Sequence, residues 1–130
     1  MTVSTGFSII LPCFLLAVLP LSAAARPEAI RSGHSYYSDE YVTEGLVRDI
    51  AAERNYEEVY QLYSYYEAIY DDAGRVVTFR EYERGEIIRV EEYRYAPGPD
   101  GALLEQVVKE RDEPPQVRAP KPPVREHEVE

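Results

Sequence analysis

Apolar and polar positions alternate over much of residues 59–110, and a short phrase punctuates the runs: glycine, one variable residue, then two adjacent aliphatics. It reads Gly74-Arg75-Val76-Val77, then Gly85-Glu86-Ile87-Ile88, then Gly101-Ala102-Leu103-Leu104. Each copy follows a polar turn and opens a strand-like run. The pattern predicts four antiparallel strands, over residues 59–70, 75–83, 86–95 and 102–110. Turns at residues 71–74, 84–85 and 96–101 join them. A two-residue loop at Arg84-Gly85 pairs Tyr82 with Ile87 and Phe79 with Val90, and sets Glu83 against Glu86.

Ahead of the meander the period changes. Val42, Leu46 and Ile50, with Val47 and Ala51, fall on one helical stripe. Ser38 suits an N-cap, Asp39 and Glu40 suit the positive end of a helix dipole, and Glu44 precedes Arg48 by four. The spacing predicts a helix over 39–54 that stops at Asn55, although Gly45 costs it about 1 kcal/mol. A further strand pair is the alternative for this stretch. The expected fold is α+β: one N-terminal helix (39–54) packed on a four-stranded antiparallel meander (59–110), with an all-β meander as the alternative. The domain is expected over 39–111. A loose polar segment (26–38) precedes it. A disordered proline- and charge-rich tail (112–130) follows, in which Pro120 and Pro123 form a P-x-x-P.

Residues 1–25 read as a secretory signal peptide. Phe7 to Leu21 is an apolar run, and Ala23-Ala24-Ala25 is an A-x-A site with cleavage specified by Ala23 and Ala25. The run is short for a spanning helix, which needs about 20 residues. The mature chain is therefore expected to be secreted or periplasmic, with no stable membrane anchor. Cys13 is the single cysteine and would leave with the signal, so no disulfide and no thiolate ligand is expected.

The formal charge of −10 falls entirely after residue 25. It opposes nucleic-acid binding, which needs a basic face. Catalytic constellations are missing. His34 and His127 lie in loose segments, and Ser38 and Ser64 have no positioned histidine. Glu91 and Glu92 are adjacent strand residues and point to opposite faces. Asp71 and Asp72 belong to a turn, where carboxylates bind backbone. The three phrase glycines are isolated, so no phosphate loop forms. No enzyme activity, cofactor or metal is expected.

All twelve tyrosines fall between Tyr36 and Tyr95. Strand alternation groups Tyr63 with Tyr65, and Tyr60 with Tyr66 and Tyr70. It places Tyr82, Tyr93 and Tyr95 on one parity of the central hairpin. Tyrosine presents a rigid apolar body with a polar tip. Tyr63, Tyr65, Tyr82, Tyr93 and Tyr95 are thus the candidate binding surface, against the alternative that they only pack the sheet.

The stretch Tyr70-Asp71-Asp72-Ala73-Gly74-Arg75-Val76-Val77 resembles the unit of YD-type (RHS-like) repeats. Tyr95 through Asp100-Gly101-Ala102-Leu103-Leu104 is similar to a second copy, so the resemblance covers about residues 70–105. It implies an extracytoplasmic β-sheet module, of a kind found in surface, carbohydrate-contacting or toxin-shell proteins, and it transfers no site residues. One helix followed by a meander also resembles the cystatin-like layout, with Gln106-Val107-Val108-Lys109-Glu110 the nearest match to the inhibitory hairpin. The expected function is a non-catalytic binding or structural module. It would contact a protein partner or an identical subunit through a tyrosine-rich face or a sheet edge. A carbohydrate-binding module and an inhibitor of an exported enzyme are the alternatives.

Overall fold

The computed structural model describes residues 29–121. The signal region with Ala23 and Ala25, and the end of the tail, lie outside the described residues. The described chain is mostly strand: β1 (Ser35–Ser38), β2 (Tyr41–Glu44), β3 (Val47–Ile50), α1 (Tyr56–Val59), β4 (Ser64–Tyr70), β5 (Val76–Glu83), β6 (Glu86–Tyr95), β7 (Leu103–Glu110) and β8 (Gln116–Arg118). Six strands form one sheet in the order β1-β4-β5-β6-β7-β8, every neighbouring pair antiparallel. Strands β2 and β3 form a separate hairpin.

This corrects the expected α+β fold. The stretch read as a helix over 39–54 is the β2–β3 hairpin, with Glu44 opposite Val47 and Tyr41 opposite Ile50. Gly45 decides it. It stands at φ 60° in the two-residue turn, in the left-handed region that glycine enters without steric cost. The stripe at spacing four does not survive as one face: Val42 pairs with Asp49 and is exposed, Leu46 lies in the turn, and Ile50 alone of the three is buried. Val42, Thr43, Val47 and Ile50 are β-branched, and their stiff side chains suit a pleat better than a helix. Asn55 does not end a helix; it begins one. Its side-chain oxygen accepts from the Glu57 backbone N–H at 3.3 Å and caps the four-residue α1.

The predicted meander forms the middle of a wider sheet. β1 lies inside the segment expected to be loose and pairs with β4, with Tyr37 opposite Glu67. β8 lies inside the proline-rich tail and pairs with β7, with Val117 opposite Val107. At the Arg84-Gly85 turn Tyr82 pairs with Ile87 and Glu83 with Glu86. An irregularity between Glu81 and Tyr82 then shifts the register by one, so Phe79 lies opposite Glu91 rather than Val90, whose partner is Arg80. Arg84 and Gly85 both take positive φ, at 52° and 76°.

The hairpin packs across one face of the sheet. Ile50 joins Ala68, Tyr70, Val76, Phe79 and Tyr93 in the buried cluster. Full burial of a side chain such as Phe79 (1% exposed) contributes about 1.5–3 kcal/mol. A polar layer lies under the same hairpin. Glu91, fully buried, faces Arg48 of β3 at 3.4 Å and Arg89 at 2.8 Å, and accepts a hydrogen bond from the Tyr93 hydroxyl. The Tyr93 oxygen in turn accepts from the Arg48 backbone N–H at 2.9 Å. This layer fixes the hairpin's position over the sheet.

Candidate functional site

The five tyrosines singled out from sequence do not share a surface. Tyr65 and Tyr82 are cross-strand partners on the face opposite the hairpin, with rings stacked 4.6 Å apart at 8°. Tyr93 and Tyr95 lie on the covered face. Tyr93 is 5% exposed, and the Tyr95 hydroxyl donates to the Val76 carbonyl at 2.7 Å under the Arg75 guanidinium, 4.5 Å from its ring. The reason is the register shift in β6. One extra residue turns every following side chain to the other face, so the parity shared by Tyr82, Tyr93 and Tyr95 is lost. Tyr63 precedes β4 and is exposed; it donates to Glu83 and carries Arg84 at 5.3 Å over its ring. Tyr60 is the C-cap of α1 and does not join Tyr66 and Tyr70 on a strand face.

What the structure brings together is a different set. Tyr37 of β1 meets Tyr56 of α1 at 4.9 Å and Tyr65 at 6.3 Å. Tyr56 meets Tyr60 at 5.6 Å and Tyr65 at 6.5 Å. With Tyr82, these rings form a continuous aromatic array from the corner of α1 onto the open face. Tyr65 is buried at its centre, while Tyr56 and Tyr60 are 49% and 51% exposed. Tyr37 and Tyr56 were not singled out from sequence, and Tyr60 was grouped with Tyr66 and Tyr70 instead. The available signal was the spacing of four between Tyr56 and Tyr60, which places both on one side of a short helix. It becomes visible only when Asn55 is read as a cap.

The array rests on a buried carboxylate. Glu67 is 4% exposed and accepts from Arg80 and from the Tyr82 hydroxyl, each at 2.8 Å, and from the Tyr37 hydroxyl at 3.3 Å. Burial pushes its carboxyl up, but hydrogen bonds from Ser35, Arg80 and Tyr82 and the Arg80 charge outweigh this and hold it below the usual range. Burial, then the Glu67 contact, pushes the Tyr82 phenol well above its usual range. Both stay in the hydrogen-bonding state near neutral pH. Arg54 secures α1 from outside. Its backbone N–H donates to the Tyr37 carbonyl at 2.7 Å, and its guanidinium reaches Asp39 at 2.8 Å and Glu58 at 3.3 Å. A depression of about 390 Å³ between β1 and α1 is lined by Ser35, Tyr37, Glu53, Asn55 and Tyr56.

The Glu67 arrangement has a pH signature. Its folded-state value lies below the ordinary 4.5, so its contribution is complete above that pH. It is lost as pH falls through the folded value. The urea midpoint is expected to fall on acidification below about pH 4.5. A Glu67→Gln variant, less stable at neutral pH, is expected to show a shallower fall. Equal slopes in the two proteins would remove Glu67 as the source.

A larger concavity, of about 660 Å³, opens between the hairpin tip and the end of the sheet, lined by Val42, Val47, Ile50, Val76, Tyr95 and Leu103. Asp71 and Asp72 line a separate, smaller depression with Gly98 and Pro99. The Asp71 carboxylate accepts from the backbone N–H groups of Ala73 and Arg75 at 3.0 and 2.9 Å and from the Arg75 guanidinium at 2.9 Å. Burial raises the Asp71 carboxyl, but these Arg75 bonds hold it below its usual range. Among the described residues, no three His, Cys, Asp or Glu side chains converge as metal ligands. No described helix is long and apolar enough to cross a membrane.

No family model, no curated protein and no solved structure matches the chain. The YD-type resemblance rests on the sequence phrase alone. Among the described residues the layout behind the cystatin-like comparison is absent: no long helix packs on the sheet, and Gln106 is 3% exposed inside β7.

Proposed function

We propose that this chain is an exported, non-catalytic binding module that contacts a protein partner through the tyrosine array around α1. The observation that carries the reading is the pair Tyr56 and Tyr60. Two large rings stand half exposed, 5.6 Å apart, at the first residue and the C-cap of a four-residue helix whose start is held by a side-chain cap. Rigid aromatic groups that lose little rotamer freedom are the side chains that dominate binding energy at interfaces. Tyr37 and Tyr65 back the Tyr56 ring, Glu67 holds Tyr37 in place, and Tyr60 packs on Tyr56; a ring positioned in advance lowers the ordering cost of association.

The test compares the unaltered chain with a Tyr56→Ser/Tyr60→Ser variant as bait for native envelope and medium. The variant is expected to lose its partner by about 2 kcal/mol or more, roughly thirtyfold in Kd. Its thermal stability should change little. Equal retention by both baits would refute the reading. A second reading has one supporting observation. The Tyr56 and Tyr60 rings are inclined by only 30°, and so offer a platform on which a sugar ring could stack. Binding to a glycan array that disappears in the same variant would favour carbohydrate over protein.

A further inference from the structure

The edge of the sheet farthest from the tyrosine array is closed by the chain's own tail. β8 contributes three residues, all exposed, and pairs with three of the eight residues of β7. Val117, at its centre, is 65% exposed. The connection is residues 111–115, Arg-Asp-Glu-Pro-Pro. Asp112 stands at φ 63°, a region that residues with a Cβ rarely adopt. The two prolines that follow hold extended geometry and cannot tighten the turn. Beyond β8, Ala119, Pro120 and Lys121 line one shallow depression together with Gly45 and Leu46 of the hairpin tip. A short segment, few backbone pairs and a strained, stiff connection are the conditions under which an element is exchanged between identical chains.

We infer that β7 is a strand-exchange edge, and that its partner is a second copy of this chain, whose residues 116–118 replace the resident β8. A second copy fits because it carries the one segment already complementary to this edge. Exchange conserves each β7–β8 contact and releases the Asp112 conformation in both chains. It leaves the tyrosine array untouched, so the two proposals stand or fall separately. A tethered segment competes at an effective concentration of about 1 mM. Two hinges are relieved per dimer, so each tenfold of strain per hinge lowers the concentration of half-exchange about a hundredfold.

Val107 and Val117 are Cα partners across the β7–β8 pair. Two full-length chains would be prepared, each with Cys13→Ala, one with Val107→Cys and the other with Val117→Cys. Mixed in equal amounts and gently oxidised, they report exchange as disulfides joining unlike chains. Random collision gives about half unlike pairs, whereas a disulfide formed in the docked geometry requires neighbouring Cβ atoms and raises that share well above half. A share at or below half overturns the proposal. Sedimentation of the unaltered chain from micromolar concentrations to about 1 mM supplies an independent reading. A dimer fraction that rises with concentration and falls severalfold in Asp112→Gly supports exchange through the hinge. A monomer throughout, or a dimer indifferent to Asp112→Gly, overturns it.

Discussion

Replacement of Glu91 by alanine is expected to destabilise the protein by about 3–5 kcal/mol, the cost of removing one partner from a buried charged pair. The melting temperature of a domain this size should fall by at least about 12 °C. Glu91 is fully buried and collects the charges of Arg89 at 2.8 Å and Arg48 at 3.4 Å, with the Tyr93 hydroxyl. Without it, two cations with side chains only 22% and 19% exposed remain against the sheet. Arg48 keeps Glu81 at 3.9 Å, and Arg89 keeps Glu110. Neither replaces a carboxylate placed between them. Since Arg48 belongs to β3, the loss also loosens the hairpin, which is then held by Ile50 in the core and by the Tyr93 and Gln106 bonds to its backbone. The neighbouring residue supplies the control. Glu92 points to the opposite face and pairs with Lys109 at 3.6 Å, both about half exposed. Glu92→Ala should therefore change stability by no more than about 0.5 kcal/mol. Urea denaturation of both variants decides the matter, and similar losses would sink this account of the hairpin's attachment.

The second large effect is expected at Gly101. A Cβ built there would lie 1.9 Å from the Ala96 carbonyl oxygen and 2.6 Å from its carbon. Both are backbone atoms, so no side chain can swing away. The loop is closed by the Ala96 N–H donating to the Ala102 carbonyl at 2.8 Å, and the Gly101 carbonyl accepts from Arg75 at 3.1 Å. Gly101→Ala must reopen that loop and should cost about 2–3 kcal/mol. Gly45→Ala meets nothing within 4 Å and bears only the strain of its positive φ, about 1 kcal/mol. Thermal melts of the two variants should rank in that order. The reverse order would show that the positive φ at Gly45 costs more than the close approach at Gly101.

The strands β4 to β7 were legible because each is bounded by local punctuation: Asp-Asp-Ala-Gly, Arg-Gly and Pro-Gly-Pro-Asp-Gly. What escaped was set by partners distant in the chain. β1 is a strand because β4, some thirty residues on, offers an edge to Ser35–Ser38. β8 is one because β7 does the same for three residues among prolines. The hairpin was misread because Val42, Leu46 and Ile50 repeat at a helical interval, and only Gly45 and the β-branched residues argued otherwise. For the site, chemistry was read at the correct residue type but the wrong members. Bulges carry no composition signal, yet one residue of slip sent Tyr93 and Tyr95 to the covered face. Tyr65 and Tyr82 survive from the original set only as the inner support of Tyr56 and Tyr60.

The sheet order has a mechanical consequence. β1 and β8 occupy opposite edges, and alternating strand direction brings the start of β1 and the end of β8 to the same end of the sheet. Tension applied at residues 29 and 121 therefore loads each edge strand from one tip and peels its bonds one after another. It does not shear a whole ladder at once. β8, with three pairs against four in β1, gives way first and lengthens the chain while the β4–β7 centre stays folded. Under load, the domain pays out slack from its edges before its core is stressed.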